Sequence, residues 1–190
     1  MNMKRLICIS FLTSTALAAP AIACEPFDGY FVSTFDSGPG CPGSTLIVPQ
    51  CTHGRLYQDP AMLLQVATYE FSFDSQDADT TEPGHLDFTG HSVITVLSNG
   101  NIVCGQDDGD LYADPGTDRQ ATFETRVYPF RICPAGTLNA CGAVAPAGCK
   151  TLTDESHIVA TGKLDVITNT ASGTYGGQIC PRWSHKLRTP

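Results

Sequence analysis

Positive charge is scarce in this chain: 11 Lys and Arg stand against 19 Asp and Glu, a formal net charge of −8. That balance removes the electrostatic footprint needed to hold a nucleic acid or an anionic membrane surface. Charged residues of both signs make up only 16% of the sequence, beside 18 Gly and 13 Pro, which argues against a coiled coil or long helical bundle. Beyond the first residues no apolar run approaches the roughly 20 residues of a spanning helix, so no transmembrane segment is expected. Cys-x-x-Cys pairs are missing, which argues against a zinc knuckle, and Trp183 is the single tryptophan. A length of 190 residues suits one domain with a real core.

The chain opens with an export signal. Lys4 and Arg5 precede the interrupted apolar run from Leu6 to Ala19, and Ala21-Ile22-Ala23 supplies a small-x-small cleavage site. Residues 1–23 are therefore read as a secretory signal peptide and residues 24–190 as a single β domain, periplasmic or extracellular. Without Lys4 and Arg5, nine basic residues face 19 acidic ones, a net charge of −10. Cys8 leaves with the signal. The eight remaining cysteines, Cys24, Cys41, Cys51, Cys104, Cys133, Cys141, Cys149 and Cys180, form an even set that reads as four disulfides in an oxidising compartment. Expected pairs are Cys41 with Cys51 and one bond within Cys133, Cys141 and Cys149, leaving Cys24, Cys104, Cys180 and one member of that trio for long-range closure. A lipid anchor on Cys24 is the alternative. It is disfavoured because Ala21 occupies the position where lipoprotein signals carry Leu, and because lipidation would leave an odd cysteine.

Period-two alternation dominates the rest of the chain. Tyr69, Phe71 and Phe73 oppose Thr68, Glu70, Ser72 and Asp74; Leu86, Phe88, Ile94 and Val96 oppose His85, Asp87, Thr89, His91 and Thr95. Gly90 inside the second stretch suggests a bulge or bend. Asn99-Gly100 marks a hairpin turn leading to Ile102-Val103-Cys104. Further strands are expected around Gly29–Phe35, Thr45–Val48, Arg55–Gln58, Phe123–Ile132 with an interruption at Pro129, Ile158–Val166 and Gly173–Cys180. Pro60–Val66 reads as one turn or loop. Asp107–Asp118 reads as an acidic loop, and residues 134–150 as a Cys-, Gly- and Pro-rich excursion held by disulfides. These patterns imply an all-β fold class: an antiparallel barrel or closed sandwich of about eight to ten strands, stapled by disulfides.

Several of these patterns carry a resemblance. Cys51-Thr52-x-Gly54, Thr89-Gly90-x-Ser92-x-Ile94, Asp107-Asp108-Gly109, Ala160-Thr161-Gly162-x-Leu164 and Gly173-Thr174-Tyr175-x-Gly177-x-Ile179-Cys180 resemble secreted bacterial proteins that look like small closed barrels of the allene oxide cyclase or calycin type. The likeness spans residues 51–180. It implies a barrel and secretion, and carries over no catalytic residue.

Chemistry is thinly marked. Gly90-His91-Ser92 lacks the second glycine of a hydrolase elbow. His85 and His91 share a strand face but stand about 20 Å apart, too far to hold one ion. Asp87 and Asp165 occupy matching positions in two similar stretches and so could face each other as paired acids. Asp107, Asp108 and Asp110 offer oxygen ligands for calcium, although their frame is not an EF-hand and the turn-making that Asp and Gly most often serve is the favoured explanation. The expected function is a secreted, non-catalytic β-barrel module, binding a small molecule near Tyr69, Phe71 and Phe73 or meeting a partner at the cell envelope. The alternative is a barrel-mouth enzyme of the cyclase, isomerase or hydrolase kind using Asp, Glu or His. No cofactor is expected beyond that calcium reading.

Overall fold

A computed structural model describes residues 24–36, 51–116 and 119–181. The expected leader (1–23), the Thr45–Val48 strand, Cys41 and Trp183 lie outside these residues. Ten strands run in order: β1 (Glu25–Pro26), β2 (Gly29–Asp36), β3 (Cys51–Tyr57), β4 (Gln65–Ala78), β5 (His85–Val96), β6 (Ile102–Ala113), β7 (Gln120–Cys133), β8 (Lys150–Thr151), β9 (His157–Asp165) and β10 (Thr170–Ile179). The described residues contain no helix.

Eight of the strands close on themselves. Each of β2 to β7 pairs antiparallel with the next, β7 passes to β9, β9 to β10, and β10 returns to β2. Short β1 adds to β10 and short β8 to β7. Closure leaves the barrel strands without open edges, so the antiparallel barrel expected from the alternation is the fold.

Alternation works as anticipated on β4 and β5. Ala67 and Phe71 are buried on the first, and Leu86, Phe88 and Ile94 on the second, all in one core cluster that Tyr69 and Phe73 flank. Eight strands leave an interior that side chains nearly fill, and here aromatic rings fill most of it. Phe71, Phe73 and Phe88 meet edge to face with centroids 4.5–5.9 Å apart, a geometry that suits the ring quadrupoles.

Two expectations are corrected. Asp107–Asp118 is not a loop from its first residue: β6 runs unbroken to Ala113, paired on both sides by β5 and β7. A carboxylate at an inward position disguised the period, since Val103, Asp107 and Gly109 are buried on one parity. Gly90 is not a bulge either. It pairs regularly with Phe73 and Asp107, and the irregularity lies on β4 between Phe73 and Ser75. A side chain at Gly90 would meet the Phe71 ring within 2.6 Å, so the glycine makes room for that ring.

Disulfides join Cys24 to Cys180, Cys104 to Cys141 and Cys133 to Cys149. The bond expected within the trio is therefore Cys133–Cys149, and the remaining cysteines make the longer closures. Cys51 is also disulfide-bonded, with a partner outside the described residues. The three described bonds gather at the barrel end where β6 begins and β7 and β10 finish. There Cys104–Cys141 and Cys133–Cys149 pin the 134–149 excursion, and Arg131 Nη1 donates to the carbonyls of Ala140 and Gly142 at 2.9 and 2.8 Å.

Candidate functional site

The barrel axis holds a cavity of about 100 Å³. Tyr69, Phe71 and Phe73, the residues expected to meet a ligand, all line it, together with Phe31, Phe88 and Phe123. Against this apolar wall stand a few polar groups on neighbouring strands: Ser33, Thr52, Ser92, Asp107 and Thr125.

Asp107 is the centre of that polar set. It is 4% exposed, and Ser92 Oγ on β5 lies 2.8 Å from each of its carboxylate oxygens. Burial pushes its carboxyl up to about 7; the Ser92 hydroxyl pulls the other way, and the negative charges of Asp108 and Asp74 add to the rise. The group thus changes charge near neutrality, several pH units above an ordinary aspartate. Tyr69 is likewise pushed up to about 12 by burial, against hydrogen bonds from the Ser33 and Thr52 side chains. Gln76, paired with Phe88 beyond the β4 irregularity, has both atoms of its side-chain amide buried without a partner.

The calcium trio is divided by the strand. Asp107 faces the lumen, while Asp108 and Asp110 face outward, where Arg126 lies 3.4 Å from Asp108 Oδ2 and 3.8 Å from Asp110 Oδ2. Asp87 and Asp165 are not brought face to face. Asp87 sits opposite Asp77 and Asp110, whereas Asp165 accepts from the amides of Ile167 and Thr168 and from Arg119 Nε at 2.9–3.0 Å. Those bonds, Thr168 and Arg119 foremost, hold its carboxyl down at about 2.

Sequence reading missed the Ser92–Asp107 pair and the surroundings of His85. Four carboxylates surround that imidazole. Nε2 lies 3.2 Å from Asp110 Oδ1 and 3.3 Å from Asp87 Oδ1; Nδ1 lies 3.5 Å from Asp79 Oδ2 and 3.6 Å from Glu82 Oε2. Burial works to lower its pKa, but Asp110, Asp87, Asp79 and Glu82 outweigh burial and hold it above the ordinary value. The other histidines make simple contacts: His91 Nδ1 with Asp74 at 3.0 Å, and His157 Nδ1 with the Glu155 carbonyl at 2.9 Å.

Comparison of the chain with protein-family models, curated proteins and solved structures gave no match. The class it belongs to is set by its fold: a closed eight-stranded antiparallel barrel with two added strands, stapled by disulfides, with one buried acid in an aromatic lumen.

Proposed function

We propose that the protein is an exported barrel that binds one small, mainly apolar molecule in its lumen, with Asp107 as the polar anchor. The observation that carries this reading is the buried Asp107 itself. An apolar side chain among these rings would be more stable than a carboxyl, and a group retained against stability marks a working site. A cavity of about 100 Å³ is smaller than the ~150 Å³ that houses benzene in an engineered core. A ligand of that size or larger therefore turns aromatic rings aside on entry. Uncharged at mildly acidic pH, Asp107 donates to an acceptor on the ligand; ionised, it pairs with a donor or cation.

Export to the periplasm or cell exterior is supported by the disulfides, which persist where the surroundings are oxidising. The Cys24–Cys180 bond also occupies the sulfur that a lipid anchor would need, which favours a cleaved, unanchored chain. Native mass spectrometry of the protein purified from its own host tests the reading. A retained small-molecule mass that disappears in Asp107→Asn is expected; a bare wild-type chain would count against it.

A second reading has one specific observation in its favour. A carboxyl at about 7 can both give and take a proton near neutrality, the property a general acid–base catalyst needs. Under this reading the lumen hosts a cyclase or isomerase, and Asp107→Asn would retain the ligand while abolishing its conversion.

A further inference from the structure

The hairpin connecting β4 to β5 holds a second cluster, on the outside of the barrel and independent of the lumen. Its centre is His85, whose side chain is 10% exposed. One face of the imidazole stacks on Tyr112, ring centroids 4.4 Å apart and planes within 5°, which fixes the ring plane. Nε2 faces Asp110 at hydrogen-bonding distance, with Asp87 beside it. Both neighbours are acceptors, so Nε2 carries a proton and donates to Asp110. The opposite nitrogen, Nδ1, is buried and has no hydrogen-bond partner, yet it points at two carboxylates.

The hairpin presents those carboxylates in a fixed way. Asp79 Oδ1 accepts from the Thr81 amide at 2.7 Å and the Thr81 hydroxyl at 2.6 Å, leaving Oδ2 for His85. Main-chain bonds from Asp79 N to the His85 carbonyl and from His85 N to the Glu82 carbonyl, each 3.1 Å, close the loop. A lone pair facing two carboxylates is electrostatically unfavourable, and either a proton on Nδ1 or a metal cation between the three groups relieves it. The separations suit a metal cation. Two ligands about 2.1 Å from a tetrahedral zinc stand about 3.4 Å apart, and Nδ1 stands 3.5 and 3.6 Å from the two oxygens. The facing ligand atoms of Asp79, Glu82 and His85 all lie within 4.8 Å of one another.

We propose that Nδ1 of His85 and the carboxylates of Asp79 and Glu82 form a binding site for one divalent cation of the zinc type. Asp110 acts behind it as a positioning residue, accepting from Nε2 as carboxylates behind metal-bound histidines do. The nitrogen ligand selects a transition-series ion over calcium or magnesium, which take oxygen alone. Half-exposed Glu82 leaves a coordination position open to water, so the bound ion is accessible from solvent.

Isothermal titration of the disulfide-intact mature chain with zinc chloride at pH 7.5 tests this. One ion per chain with micromolar or tighter affinity is expected, unaffected by equimolar calcium. His85→Gln and Glu82→Gln should each weaken binding at least tenfold, Asp110→Asn by roughly 10–100-fold, and His91→Gln not at all. The exposed Glu82 variant retains the fold, as circular dichroism would show, and keeps the test valid if His85→Gln does not. A zinc-induced change in the His85 Nδ1 nitrogen resonance, with Nε2 still protonated, identifies the ligating atom. The proposal is overturned by zinc binding weaker than millimolar, by equal affinity in wild type and Glu82→Gln, or by displacement with calcium.

Discussion

A methyl group built on Gly54 would lie 1.9 Å from Cε1 of Tyr69, its direct partner across the β3–β4 ladder. The absent side chain is what lets the Tyr69 ring cross the inner wall and bring its hydroxyl to Ser33 and Thr52. Gly54→Ala is therefore an overpacking change, expected to cost about 1–3 kcal/mol. Urea unfolding of the variant measures it. A loss below about 0.5 kcal/mol would mean that the ring swings away freely and is not held in the lumen wall.

Asp107 makes stability depend on pH in an unusual direction. Its folded value of about 7 lies above the unfolded value of about 3.9, so the native state holds the extra proton between them. Stability is complete below the unfolded value and falls as pH rises through 4 to 7. From pH 5 to pH 8 this group alone removes on the order of 2–3 kcal/mol. Asp107→Asn cannot ionise, and Ser92 can still donate to its amide oxygen. Wild type and variant unfolded in urea at both pH values should differ by that amount in slope against pH. Parallel pH profiles would show that the carboxyl titrates as an ordinary one.

Much of this arrangement is legible in the sequence once the hairpin register is counted. Outward from the Asn99-Gly100 turn, Thr95 pairs with Ile102, Ser92 with Gly105 and Gly90 with Asp107. Parity alone then puts Asp107 on the face of Leu86, Phe88 and Ile94. Reading the acidic run as a loop hid that step, because a charge at an inward position looks like the end of a strand. The His85 cluster was not legible in the same way. Asp79 and Glu82 come from the turn, Asp87 from the next outward position and Asp110 from the neighbouring strand. Their convergence depends on a register and a loop shape that no local pattern states. Disulfide pairing lay between these cases: parity of the count pointed to full oxidation, three bonds are described, and only the barrel's ends decided which cysteines meet.

Asp165 should titrate in the opposite sense to Asp107. Its carboxyl accepts from Thr168, Arg119 and Ile167, and these bonds hold it at about 2. A folded value below the unfolded one contributes stability above the unfolded value, lost as pH falls through about 2. Carboxyl carbon resonances followed from pH 5 to pH 1.5 should place its midpoint near 2 in wild type and higher in Arg119→Ala. An ordinary midpoint in the wild-type protein would show that the β9–β10 turn does not hold the carboxylate.

The three described disulfides should differ in what they contribute, and in what fails without them. Cys24–Cys180 spans 156 residues of sequence, Cys104–Cys141 spans 37 and Cys133–Cys149 spans 16. If each acts chiefly by restricting the unfolded chain, their contributions rank at about 5, 4 and 3 kcal/mol. Those values are large beside a usual total of about 5–15 kcal/mol. The consequences are also local. The 134–149 excursion contributes only Ala140 as a buried hydrophobic, while Leu138 and Val144 are more than four-fifths exposed. It lacks an apolar face to hold it once its bonds are cut. Replacing Cys133 and Cys149 together by Ser should therefore open residues 134–149 to limited proteolysis while the barrel still unfolds cooperatively in urea. Replacing Cys24 and Cys180 should instead lower the urea midpoint of the whole barrel and leave the excursion resistant. The reverse pattern, with global loss from the Cys133–Cys149 pair and a local effect from Cys24–Cys180, would show that the excursion carries the core.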